Sequence, residues 1–353
     1  MPPRLFSRDF LRVIHTHDYP FFAIMGEYMK ERFGSKLVVF SSVLAASVFA
    51  LAGVLFVQTY FFYDLNSASA VAGGAPTASS TVIVSNAAPT VSNVVLNNAT
   101  SIVLTANATT VIRVTADITD NNGCSEITDA TATIMLYRAN ITSSTCRTSA
   151  NNQNCYVLTQ YTATSSCSAS VTVLTTSTFG VYYFAQATDA SSSNSGTNWI
   201  ATVIARDTGN TTGTADSGTS ELLTLTALDV TTSSLNYGTL AASSTTGSTN
   251  QNATSTNAGN SSTTLQLSAN STLTSGSNSI PTSSQRYSTS SFTFQGTSTA
   301  LTASPATVSG FLLTVPTSTT NVARTTFWGL IIPAGTATGT YNGVNLFTSL
   351  FQE

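Results

Sequence analysis

Residues 112–118 read Ile112-Arg113-Val114-Thr115-Ala116-Asp117-Ile118, with apolar and polar side chains in strict alternation. Neighbouring side chains of a strand point to opposite faces, so this spacing makes a ribbon with one dry face and one wet face. The same period recurs at Ala169, Val171 and Val173, and again at Trp199, Ala201, Val203 and Ala205. Past residue 64 no apolar 3.6-residue period lasts long enough to specify a helix. Short apolar runs between Asn, Gly, Ser and Asp clusters recur instead, which is the pattern of antiparallel β-sandwiches.

Working outward, this portion divides in two. Residues 82–215 contain about eight candidate strands and all four cysteines. A polar patch, Asp207 to Gly213, precedes a fresh apolar run at Leu222–Val230, which opens a second unit over 221–353. That unit carries a low-complexity stretch, Ala241–Thr264. Its expected strands are Phe292–Phe294, Gly310–Val315 and Phe327–Ile332, followed by a turn at Pro333–Thr336 and a last strand at Gly339–Phe347. No repeat of the length that marks a solenoid or propeller is present.

Upstream, residues 64–81 are small, polar and Gly/Ala-rich, which reads as a flexible stalk. Leu37 to Tyr63 contains no charged residue. As a helix it covers ~40 Å, more than the ~30 Å hydrocarbon core of a bilayer. Tyr60, Phe61, Phe62 and Tyr63 close the run at the expected depth of an interface, with Arg32 and Lys36 before it and Asp64 after. The positive-inside bias then keeps residues 1–36 cytoplasmic and exports the rest. Within 1–36, Asp18 and Pro20 start a short helix whose Phe21, Met25, Tyr28 and Met29 share an apolar face. A competing reading takes Ala68-Ser69-Ala70 as a signal peptidase site that releases the chain from Val71 onward. The length of the apolar run favours an uncleaved anchor.

Charge sharpens the division. Charged residues make up 8% of the chain, against about 25% in ordinary soluble domains. Both lysines and both histidines fall in the first 36 residues. From Asp64 onward there are six arginines and eleven carboxylates, a net of five negative charges. No basic stripe exists there to meet phosphates, so nucleic-acid binding is disfavoured. Catalytic triads that need imidazole, dyads that need lysine, and histidine-ligated metal sites are excluded from the exterior for want of the residues. A two-carboxylate glycoside hydrolase survives this exclusion, but the carboxylates are sparse and mostly turn-like in context.

Cys124, Cys146, Cys155 and Cys167 are even in number and confined to the part expected to be exported, so two disulfides are expected. Three connectivities exist. The short Asn-rich loop between Cys146 and Cys155 favours that pair, leaving Cys124 with Cys167. The rival, a four-thiolate zinc site, lacks any CxxC knuckle. Asp117, Asp120, Glu126 and Asp129 form the one dense acidic cluster, a candidate Ca²⁺ site, although Asp-Asn-Asn-Gly at 120–123 is also ordinary turn chemistry. Trp199 and Trp328 sit in apolar runs and read as core, with carbohydrate stacking the alternative. The Asn-x-Ser/Thr sequons are no more frequent than a chain this rich in Ser and Thr produces at random.

Ser85-Asn86-Ala87-Ala88-Pro89-Thr90-Val91-Ser92, followed by Asp117 through Cys124, resembles the opening of uncharacterised immunoglobulin-like cell-surface proteins of candidate-phylum (Patescibacteria) bacteria. Leu235-Asn236-Tyr237-Gly238, Ile332 through Thr336, and Tyr341-Asn342-Gly343 resemble the second sandwich of the same proteins. The likeness spans most of 82–353. It implies a mainly β architecture, an N-terminal transmembrane helix followed by two immunoglobulin-like antiparallel sandwiches, and a place at the cell surface. It carries no activity with it. The resulting expectation is a membrane-anchored structural or adhesive surface protein without catalysis, its partners being membrane lipid through 37–63 and other surface proteins or glycans. The alternative is an extracellular binding or assembly subunit released by signal peptide cleavage, with carbohydrate as a candidate ligand.

Overall fold

A computed structural model describes residues 78–127, 132–165, 167, 171–320 and 322–352. The expected membrane span at 37–63, the helix before it, most of the stalk and the Ala68-Ser69-Ala70 sequence lie outside the described residues. Among those described, no helix is long and apolar enough to cross a membrane. Residues 78–84 are exposed and carry no regular structure, and Val84–Glu353 form one compact unit.

The fold is mainly β, antiparallel, with few helices. Strands β1 (Thr90–Leu96), β2 (Thr109–Thr119), β3 (Thr133–Arg138), β4 (Cys155–Leu158), β5 (Thr162–Ala163), β6 (Thr172–Tyr182), β7 (Trp199–Arg206) and β8 (Thr212–Asp216) form two four-stranded sheets. Their orders are β1-β2-β6-β5 and β4-β3-β7-β8. The alternation read at 112–118 is realised in β2, where Ile112, Val114, Ala116 and Ile118 face inward and are buried. In β7 the inward set is Trp199, Ala201, Val203 and Ala205. The two sets meet in one core, which Phe179 and Val181 of β6 and Leu136 of β3 complete. Val171, expected to face inward, is exposed; the buried face of β6 begins at Val173.

β3 departs from alternation, with five consecutive buried residues, Ile134 to Arg138. Its outer face is covered as well. Met135 and Tyr137 pack there with Cys146, Cys155, Ile141, Val157, Ile200 and Ile204. The cover includes a single-turn-and-a-half helix, α1 (Ser143–Thr148), whose N-cap Thr142 accepts from the Thr145 N–H. Sequence reading missed α1 because its six residues carry no apolar period.

The chain does not leave the first core at residue 215. Leu222 is fully buried in it and Leu225 packs against it. Residues 221–223 run parallel to Ile102, which bonds Glu221 O at 2.7 Å and receives Leu223 N at 2.9 Å.

The second part comprises β9 (Leu228–Val230), β10 (Gln251–Asn257), β11 (Ser262–Ala269), β12 (Leu273–Ser275), β13 (Asn278–Ile280), β14 (Gln285–Ser288), β15 (Thr299–Ala300), β16 (Ala306–Leu313), β17 (Ala323–Leu330) and β18 (Asn345–Gln352). Its main sheets are β15-β14-β17-β10-β9 and β16-β11-β18, around a core of Trp328, Phe311, Leu265, Leu267 and Tyr287. Two expected strands are corrected. Phe292–Phe294 is irregular chain whose phenyl rings are buried, so the apolar signal was core packing without a ladder. The last strand is Asn345–Gln352 rather than Gly339–Phe347; Asn342 makes only an isolated bridge to Thr274. The low-complexity stretch supplies β10 and the start of β11, where Ser255, Thr256, Asn257 and Thr263 are buried.

A polar clasp joins the two cores. Asn260, itself buried, accepts from Leu225 N at 2.6 Å and donates to Ala185 O at 3.0 Å and Leu223 O at 3.1 Å. Asn107 N adds a bond to Ala258 O at 3.0 Å. A side chain at Gly259 would overlap the carbonyl oxygen of Leu225, so the backbones can meet here only at glycine.

Candidate functional site

Three segments converge where β2 and β7 end: residues 85–89, the turn 120–127, and the β7–β8 turn at 207–211. Asp120 follows β2 in the inward register. Its Oδ1 accepts from the Asn122 N–H at 2.8 Å, an Asx turn that reverses the chain, and Asn122 is fixed in turn, its Oδ1 accepting from Ala87 N at 2.6 Å and its Nδ2 donating to Ser85 O at 3.3 Å. Asp207 occupies the matching place in the opposite sheet, one inward step beyond Ala205. It accepts from Thr211 N at 2.8 Å, from the Thr211 hydroxyl, and from Asn86 Nδ2 at 2.9 Å. The Thr211 hydroxyl above all, then the Asn86 amide and the Thr211 and Gly209 N–H groups, hold the Asp207 carboxyl below the ordinary carboxylate range, against an opposing contribution from burial. Thr208 N bonds Glu126 O at 2.9 Å, which ties the two turns together.

The acidic cluster read from sequence is not assembled as such. Asp117 lies on the outer face of β2, the opposite face from Asp120, and accepts from Asn93 Nδ2 at 2.7 Å. Glu126 ends a 3₁₀ turn and is half-buried. Asp129 lies outside the described residues. Among the described residues, no group of three or more His, Cys, Asp or Glu side chains is placed to hold a metal. Asp207 was missed because Asp-Thr-Gly-Asn reads as linker chemistry; its inward parity after Ala205 was the signal that could have found it.

Both disulfides form in the expected pairing. Cys124 and Cys167 join at a Cα separation of 5.6 Å, and Cys146 and Cys155 at 5.4 Å. The first lies against the main core close to the convergent turns, and the second staples α1 over the outer face of β3. Both tryptophans are fully buried, with Trp199 Nε1 donating to Gln186 O and Trp328 Nε1 to the Thr326 hydroxyl, so neither offers an indole face to a sugar. A shallow depression of about 230 Å³ over β14 and β16, lined by Tyr287, Ser288, Thr299 and Thr307 among others, is smaller than ordinary small-molecule sites.

No protein-family model matches the chain, and no curated protein sequence does. Among solved structures, the chain is similar to the crystal structure of dimeric latent PorU from Porphyromonas gingivalis, at 10% identity and a TM-score of 0.25. The match covers 78% of this chain and 21% of that one, so the chain spans about a fifth of the PorU length. A likeness this slight bears on neither fold nor function.

Proposed function

We propose that this chain is an exported, membrane-anchored surface protein whose two immunoglobulin-like sandwiches serve as structural or adhesive modules and perform no catalysis. The observation that carries the reading is the pair of disulfides in a chain with no lysine or histidine beyond Lys36. Disulfides persist in oxidising compartments, and the missing bases remove the usual means of activating a nucleophile. The uncharged run at 37–63 supplies the anchor in this reading, and a sparsely charged Ser/Thr/Asn surface suits a module that is displayed. The immunoglobulin-like description rests on facing antiparallel sheets around one core; unlike antibody domains, neither disulfide joins a strand of one sheet to a strand of the other.

Fractionation of the native cell with N-terminal sequencing tests the reading. The anchored form stays with membranes and retains the residues before Leu37. A soluble form beginning at Val71 would replace it with the released subunit, and recovery in the cytosol would defeat both.

A further inference from the structure

The interior of the first pair of sheets is closed, at the corner where β2 and β7 end, by two carboxylates, one from each sheet. Asp120 and Asp207 are 0% and 2% exposed. The 85–87 segment passes between the turns that carry them, held by Asn122 on one side and reaching Asp207 through Asn86 on the other. Asp207 has donors. Asp120 does not have enough: Oδ2 is buried and, among the described residues, has no hydrogen-bond partner. A buried carboxylate oxygen facing no donor is strongly unfavourable when ionised. Lysine and histidine, two of the side chains that commonly neutralise such a group, do not occur after Lys36.

We propose that this corner binds one Ca²⁺ ion, with the Asp120 and Asp207 carboxylates and the Asn86 amide oxygen as its protein ligands. This set differs from the cluster read in the sequence and shares only Asp120 with it. All the donors are hard oxygens, and Ca²⁺ accepts irregular arrangements of six to eight of them, with water completing the shell. Asn86 is exposed, and turning its amide would exchange the Nδ2 bonds to Asp207 and Thr211 for an oxygen directed at the ion. A Cβ at Gly209 would lie 2.6 Å from Asn86 Nδ2, so the glycine keeps space for that side chain. The ion would tie the end of β2, the β7–β8 turn and the 85–87 segment into one corner.

The test uses the full chain in detergent micelles, stripped with EGTA and titrated with CaCl₂ by calorimetry and by thermal unfolding. The expected result is one ion per chain with Kd on the order of 10⁻⁴–10⁻³ M, and a Tm rise of about 3 °C or more at tenfold Kd. Asp120→Asn is expected to abolish the Ca²⁺-dependent rise in Tm. Asp207→Asn weakens binding by about tenfold or more and Asn86→Ala by severalfold, while Asp117→Asn, on the outer face, leaves it unchanged. Absence of heat and Tm shift at about 10 mM CaCl₂ overturns the proposal. Full retention of binding in Asn86→Ala, an exposed substitution that does not threaten folding, together with retention in either carboxylate variant that folds, overturns it equally.

Discussion

Asn260→Ala removes the clasp between the two cores. Three backbone groups lose their partner: the Leu225 N–H, bonded at 2.6 Å, and the carbonyls of Ala185 and Leu223, bonded at 3.0 and 3.1 Å. An orphaned buried N–H costs about 1–2 kcal/mol, and each carbonyl, with a second lone pair to use, about 0.5–1 kcal/mol, for a total near 2–4 kcal/mol. The chain contains two tryptophans, Trp199 buried in the first core and Trp328 in the second. Trp328→Phe and Trp199→Phe therefore give backgrounds in which urea unfolding of the full chain reports on one core at a time. Without the clasp mutation the two backgrounds unfold through the junction as one cooperative event. With Asn260→Ala the stability falls by the amount above, and the transitions seen by the two reporters separate. A loss below about 0.5 kcal/mol in both backgrounds, with transitions still coincident, would refute the reasoning that the clasp couples the cores.

Three further outcomes follow from the same contacts. Replacing Cys124 and Cys167 by Ser, opening a loop with a sequence separation of 43, costs about 4 kcal/mol on loop-entropy grounds; the same change at Cys146 and Cys155, separation 9, costs about 2.5 kcal/mol, and denaturation of the two double variants checks the order. Gly259→Ala forces a methyl group onto Leu225 O and is expected to destabilise by about 1–3 kcal/mol, read by the shift in urea midpoint. Burial raises the pKa of Tyr156 and Tyr237, so the folded state keeps both phenols protonated where the unfolded chain ionises. Their contribution is complete below about pH 10 and is lost as pH rises beyond it, so stability plotted against pH should hold level and then fall on the alkaline side, and Tyr237→Phe should blunt that fall.

The sequence made β2 and β7 legible because half of their residues are aliphatic and regularly spaced. β10 was not, because its inward positions are filled by Ala253, Ser255 and Asn257, which bury without a hydrophobic signature. Several of the buried hydroxyls and amides find partners across strands, as Thr326 Oγ1 does on Ala253 O, while Ser255 Oγ has none among the described residues. Phe292 and Phe294 mislead in the opposite sense, being apolar and buried but outside any ladder. The disulfide pairing followed from loop length. The corner formed by Asp120 and Asp207 did not, because two turns far apart in the chain, each polar for ordinary local reasons, become neighbours only when the two sheets close on each other.

The account stands or falls on the compartment in which Cys124, Cys146, Cys155 and Cys167 reside. Intact cells treated with a thiol-alkylating reagent, then lysed and analysed by mass spectrometry without reductant, measure it directly. The account predicts a chain that takes up no label until reductant is added, with Cys124 then recovered linked to Cys167 and Cys146 to Cys155. Four labelled thiols in the unreduced protein would contradict it.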